Sequence, residues 1–340
     1  MFQPFASFNR RLGIDLGSCR TRIWLEGEGL VLDEASVLAV DQSQHKVIAA
    51  GDKALEMQGR VDEPVKIFRP VEQPKIKDKE HLGALLKVFF QKASEQNYFF
   101  SPSILLSLAS NVSPVVRQAA AQVVSDLGAK EVLIVSQPLA AAIGSGVPVA
   151  DASGCFVLHL GGGVVEAAAV SLGKMIKSQV SHKAGLSLDQ HLQYFLRQEK
   201  QLKVSRRRTE DIKINLGTLN SSLDYQMTVS GNDLAKGAPK EIELMTQDIF
   251  PVMDYFAQDY QLLVKKLLAT VPPDLTTDLI DKGLLLSGHL AQLDGLEQYL
   301  VKGLGLPVSV VDEPELAVIH GLGTILKHLE EFKQSLGYSF

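Results

Sequence analysis

The stretch Cys155-Phe-Val-Leu-His-Leu-Gly-Gly-Gly-Val-Val-Glu-Ala-Ala-Ala-Val-Ser-Leu172 decides how the chain is read. Apolar runs on either side of three glycines predict two buried strands joined by a tight turn. Gly161, Gly162 and Gly163 carry no Cβ, so the backbone there can approach a ligand closely and offer N–H groups to an anion. A glycine triplet alone predicts only a turn; here the pattern occurs twice. Leu12-Gly-Ile-Asp15-Leu-Gly-Ser-Cys-Arg-Thr21-Arg-Ile-Trp-Leu25 is again strand, glycine turn and strand. Asp15-Leu16-Gly17 matches His159-Leu160-Gly161, and residue 159 follows residue 15 by 144 positions, a duplication at domain scale. Two such hairpins facing one cleft would grip a phosphate chain from both sides. A carboxylate ending the first strand, Asp15, could hold the hydrated Mg²⁺ that accompanies it.

The 340 residues, 46% hydrophobic and 21% charged, suffice for two lobes. A net charge of −5 gives no general attraction to nucleic acid. Cys19 and Cys155 form no CxxC pair and point to a reducing compartment. No apolar run reaches the roughly 20 residues of a membrane span, and the start lacks the charge order of a signal peptide. The chain is therefore expected in the cytoplasm. Residues 1–11 are the segment able to tie it to a surface. Phe2, Phe5 and Phe8 would form an aromatic stripe on a short helix, and Arg10 and Arg11 would meet anionic headgroups. The competing reading is a frayed terminus.

Punctuation along the chain fits an α/β architecture. Ser113-Pro114 predicts a helix start, with the helix from Val115 to Leu127 ended by Gly128 and a buried strand from Glu131 to Val135. Ser187 with Gln190 predicts a capping box for a helix reaching Lys200, and Thr209 a cap for a short helix ending at Gly217. Leu223 to Ser230 and Lys240 to Leu244 read as strands. Thr246 to Thr270 reads as a helix stopped by Pro272-Pro273.

With these residues in order, the chain resembles MreB, the bacterial actin-like cell-shape family. The resemblance rests on LGIDLGS, Glu34-Ala-Ser-Val-Leu-Ala-Val40, Ile67-Phe-Arg-Pro70, Gly128-Ala-Lys-Glu-Val132 and Gln137-Pro-Leu-Ala-Ala-Ala-Ile-Gly144. It continues through LGGGVVE, Glu210-Asp-Ile-Lys213 and Leu284-Leu-Leu-Ser-Gly288. It implies an actin-like duplicated two-lobe α/β fold with a central nucleotide cleft for ATP or ADP. Residues 12–150 with 315–340 would form lobe I, with a small subdomain at about 33–66. Residues 151–314 would form lobe II, with a small subdomain at about 182–244. It also implies self-assembly, or co-assembly with an orthodox MreB, at the inner face of the membrane, an anionic surface.

The same resemblance assigns the site. Asp15, Gly17, Ser18, Cys19, Arg20 and Thr21 make the first phosphate hairpin, and Gly161, Gly162 and Gly163 the second. Glu210, Asp211 and Lys213 match contacts to ribose and base, and Gly288, His289, Leu290 and Ala291 the adenosine-side loop. Departures from the family pattern erode this site. His159 stands where the family has aspartate, and imidazole is a poor ligand for Mg²⁺. Val164 and Val165 replace threonines. Gln137, in place of glutamate, can orient water but cannot take its proton. His289, Leu290 and Ala291 add side chains where glycines are expected, and Arg20, in place of asparagine, is either a group that neutralises phosphate or a solvated turn residue. The leading expectation is a divergent filament protein with weak or absent ATP hydrolysis. The alternatives are an active ATP-dependent filament and a non-polymerising scaffold of the same fold.

Overall fold

The computed structural model describes residues 10–72, 74–93, 101–149 and 153–336. The chain opens with an antiparallel meander, β1 (Arg11–Leu16), β2 (Arg20–Leu25) and β3 (Gly29–Ala35). It continues through β4 (Leu38–Asp41), β5 (Lys46–Ala50), α1 (Asp52–Met57), β6 (Val65–Phe68), β7 (Val71–Glu72) and β8 (Lys75–Ile76). Next come α2 (Lys79–Ala93), β9 (Ser103–Leu108), α3 (Pro114–Asp126), β10 (Glu131–Ser136) and α4 (Gln137–Gly144). A second meander follows, β11 (Cys155–Leu160), β12 (Val165–Ser171) and β13 (Lys174–Ser181). After it run α5 (Gly185–Glu199), β14 (Leu202–Lys203), α6 (Arg206–Leu216), β15 (Gln226–Asp233) and β16 (Pro239–Met245). The last elements are α7 (Thr246–Leu268), α8 (Pro273–Lys282), β17 (Leu284–Ser287), a 3₁₀ turn (His289–Gln292), α9 (Leu296–Leu304), β18 (Val308–Val310), α10 (Ala317–Lys327) and α11 (Leu329–Leu336).

Two five-stranded sheets form among the described residues, in the orders β10-β9-β1-β2-β3 and β18-β17-β11-β12-β13. In each, the leading meander is antiparallel, and its first strand joins two further strands in parallel. The duplication therefore extends to register. Asp15 lies opposite Arg22 on one side and Ser107 on the other, while His159 lies opposite Glu166 and Ser287. Both central strands are buried on both faces, which explains their unbroken apolar runs. Smaller sheets, β5-β4-β6 and β14-β15-β16, extend each half.

Helices α4 and α10 cross between the two large sheets. A Cβ on Gly144 would lie 1.9 Å from the carbonyl oxygen of Ala317, and one on Gly321 only 1.8 Å from that of Ala140. The two backbones therefore touch, and no side chain fits between them. Apolar side chains of both helices and of both sheets form one shared core around this crossing, including Leu133, Val157, Ile319 and Leu322. Gly321→Ala is expected to force the helices apart and cost about 1–3 kcal/mol or more of stability. A lowered urea midpoint would register it; an unchanged midpoint would mean the crossing relaxes freely.

Ser113 caps α3, its Oγ accepting from the Val116 N–H at 3.3 Å, with Pro114 in the first turn. Helix α5 starts earlier than Ser187 predicts. Ser187 is inside it, its Oγ accepting from the Ala184 N–H (2.8 Å), because the first turn begins at Gly185, where Gly185 and Leu186 bond to a glycine hairpin. Ser205, not Thr209, caps α6; buried Thr209 donates back to the Ser205 carbonyl (3.0 Å). The paired strands β15 and β16 lie at 226–233 and 239–245, so the first is shifted toward its turn. Pro273 does not merely stop α7 but opens α8, the usual use of proline in a first turn.

Candidate functional site

The two glycine hairpins face each other across a cleft of about 350 Å³, within the range of small-molecule sites. Their geometry is the same. The Gly17 N–H donates to the Arg20 carbonyl at 3.1 Å, and the Gly161 N–H to the Val164 carbonyl at 3.1 Å. A Cβ at Gly17 or Gly161 would lie 2.6 or 2.7 Å from those same oxygens, so both turns require glycine. The tips meet. A Cβ on Gly162 would come within 2.3 Å of the Cys19 sulfur, whose thiol burial makes harder to ionise. The first turn of α5 supports the second hairpin, Gly185 and Leu186 donating to the carbonyls of Gly161 and Gly162 (3.2 and 2.8 Å).

At the floor of the cleft Asp15 is buried and occupied. Its Oδ1 accepts from the Ser107 hydroxyl at 2.7 Å and from the Gln137 amide at 3.0 Å, and Oδ2 lies 3.7 Å from the Arg22 guanidinium. Gln137, the first residue of α4, is thus a donor to Asp15. The duplicated position holds His159, whose Nδ1 is 3.1 Å from the Ser287 hydroxyl. Burial pushes its pKa down to about 4, with Asp15 opposing and Arg22 adding to that effect, so the imidazole is neutral. Its cross-strand partner Glu166 is fully buried. One carboxylate oxygen accepts from the Ser110 N–H (2.7 Å) and hydroxyl (2.5 Å), in the loop after β9, so this contact joins the two halves. Burial raises that carboxyl to about 7.

Of the residues expected at the site, Asp15, Gly17, Ser18, Cys19, Arg20, Gln137, Gly161, Gly162, Gly163, Glu210, Lys213, Gly288, His289 and Leu290 do border the cleft. Thr21, Asp211 and Ala291 do not. Thr21 is buried against Ser36 (2.8 Å), which in turn donates to the Gly17 carbonyl and braces the first hairpin. Ala291 is turned into the core of the second half, so it cannot crowd a ligand. Asp211 lies on α6 outside the lining, its carbonyl accepting from Asn215. Arg20 borders the cleft with its guanidinium bound to Asp33 (2.5 Å) and Asp52 (3.1 Å). Lys213 is paired with buried Asp189 at 2.7 Å. Val164 is wedged into the core of the first half and Val165 into that of the second, packing where hydroxyls were expected.

Sequence reading missed Arg22, Arg69, Asp189 and Arg206, which also border the cleft. Arg22 could have been found, since it follows the duplicated strand end at the spacing of Glu166; the others carry no local signal. Phe2, Phe5 and Phe8 lie outside the described residues. Arg10 is 3.5 Å from Glu28, and Arg11 heads β1, donating to the Leu326 carbonyl (3.2 Å) beside Glu26. No helix among the described residues is long and apolar enough to cross a membrane.

Comparison with known proteins agrees with the duplicated architecture. The sequence matches the family described as MreB/Mbl protein over residues 9–334. It is 32% identical to the cell shape-determining protein Mbl of Bacillus cereus over 324 residues, 95% of this chain and 97% of that one. It is 30% identical to the cell shape-determining protein MreB of Escherichia coli over 329 residues, 95% of each chain. Among solved structures, MreB 5 of Spiroplasma citri bound to AMPPNP superposes with a TM-score of 0.92 at 25% identity, covering 97% of this chain and 99% of its own. The MamK double helical filament, at 17% identity and a TM-score of 0.78, shares the fold.

Proposed function

The chain belongs to the MreB/Mbl family of actin-like cell-shape proteins, and from that premise we propose that it is a divergent filament-forming member with little or no ATP hydrolysis. In this reading it assembles, alone or with an orthodox MreB, at the inner membrane face. Lobe I comprises residues 12–150 and 315–340, and lobe II residues 151–314. The observation that carries the reading is the state of Asp15. Its Oδ1 is bound by both Ser107 and Gln137, Arg22 stands beside its Oδ2, and its duplicated counterpart is a neutral histidine.

An adenine nucleotide fits the cleft. Turns too tight for a Cβ at Gly17 or Gly161 leave the two hairpin backbones bare beside the cleft, and the Spiroplasma citri relative was crystallised with AMPPNP and with ADP. The residues that would hold it are the two hairpin backbones, with Glu210, Lys213 and the Gly288–Leu290 turn beyond them. A bound nucleotide would supply polyphosphate charge to a cleft bordered by five cationic side chains. Mg²⁺ fits less well. Asp15 already has a cation at 3.7 Å, His159 offers a neutral imidazole tied to Ser287, and no group of three or more metal-capable side chains gathers among the described residues.

Assembly does not require turnover, so sedimentation tests the central reading directly. The protein should pellet at raised concentration with ADP or ATP alike; a monomer at every concentration would instead favour the scaffold. Membrane contact is assigned to Phe2, Phe5 and Phe8, with Arg10 and Arg11 at their base. Removing residues 1–9 should abolish co-sedimentation with anionic liposomes and leave self-pelleting intact. Undiminished liposome binding by the truncated chain would locate the anchor elsewhere.

A further inference from the structure

The cations of the cleft divide into two groups. Arg20, Arg22 and Lys213 each have a carboxylate, namely Asp33 and Asp52, Asp15 and Asp33, and Asp189. Arg69 and Arg206 have no ion pair within 4.0 Å among the described residues, and they come from opposite lobes. Arg69 sits between β6 and β7, its Nη1 reaching the Ser18 carbonyl of the first hairpin at 3.4 Å. Its Nε is buried with no hydrogen-bond partner. Arg206 is the first residue of α6, one turn before Glu210, and borders the same cleft. Burial first, then the charge of Arg206, lower the pKa of Arg69, and Cys19, Glu210 and Glu72 act in the other direction.

Two guanidinium groups bordering one partly buried cleft repel, and a buried donor without an acceptor adds its own desolvation cost. One anion between them removes both penalties. Guanidinium is also the side chain best shaped to bind phosphate oxygens in pairs. We propose that Arg69 and Arg206 form a two-sided phosphate clamp across the cleft, one arm from each lobe, which binds without metal and draws the lobes together. The clamp deepens the nucleotide reading and rests on it only for the phosphate's source, a nucleotide or a free polyphosphate.

The test is calorimetric titration of the full chain in EDTA with three separate probes: ADP, adenosine and inorganic tripolyphosphate. Arg206→Ala should weaken ADP by about tenfold or more and leave adenosine unchanged, the loss expected for a charge-assisted contact. Arg206→Glu should abolish ADP binding while melting no lower than the natural protein, because it gives Arg69 an ion-pair partner and so reports an intact fold. If both variants bind ADP and tripolyphosphate within about twofold of the natural protein, the clamp is overturned and the nucleotide reading stands. If tripolyphosphate binds in an Arg206-dependent way and ADP does not bind, the clamp stands and the nucleotide reading falls. Binding of neither probe by the natural protein overturns both.

Discussion

Given ATP and Mg²⁺, the protein is expected to release phosphate at least about a hundredfold more slowly than its His159→Asp, Gln137→Glu double variant, the factor general-base assistance typically contributes. In the natural protein the Gln137 amide donates to Asp15 at 3.0 Å, so its nitrogen is committed and its oxygen is no base. His159, neutral and bonded to Ser287, contributes no negative charge. The double variant would place three carboxylates around one point, with Gln137→Glu turning a hydrogen bond to Asp15 into a repulsion. That repulsion gives a second readout. Mg²⁺ should raise the melting temperature of the double variant by several degrees and leave the natural protein nearly unmoved. Phosphate release by the natural protein at or above the rate of the variant would refute the eroded-site reading and favour an active filament.

The parts of this site legible in the sequence were those carried by glycine and by repetition. Gly17 and Gly161 announce themselves because their turns admit no side chain, and the matching positions 15 and 159 tie the two turns into one architecture. Ser107 and Ser287 were not legible. Each is a serine in a mostly apolar strand, and its meaning appears only when the parallel neighbour brings it beside Asp15 or His159. Arg206 lies in a run of three arginines ahead of the helix start that Thr209 predicts, and nothing local marks it for the cleft. The position of α6 alone decides that Arg206 borders the cleft while Arg208 binds the Thr228 carbonyl. Occupancy was also invisible. Sequence leaves Arg20 either available to phosphate or solvated in its turn, yet Asp33 and Asp52 come from a strand and a helix start that fold back onto it.

The cross-strand pair His159–Glu166 should give the protein two opposed pH dependences that hide each other. Glu166 ionises near 7 in the fold against an ordinary value of 4.5. Between these values the folded state holds the proton that the unfolded chain releases, so stability is lost as pH rises from about 4.5 to 7. His159 ionises near 4 in the fold against 6.5. Between those values the unfolded chain takes up the proton, so stability is gained as pH rises from about 4 to 6.5. Each effect is on the order of 3 kcal/mol, and over the shared interval from about 4.5 to 6.5 they cancel. Removing one partner should therefore expose the other. Glu166→Gln should gain stability relative to the natural protein as pH rises through this range, and His159→Asn should lose it. Groups elsewhere drop out when the curves are subtracted, since distant sites add independently. Urea midpoints collected across pH 4–7.5 for the three proteins would measure both slopes. Difference curves that stay flat would mean that neither group is held in its buried, uncharged form. Slopes of the same sign would mean that the ionisations of His159 and Glu166 are not set separately by burial but by each other across the strand pair.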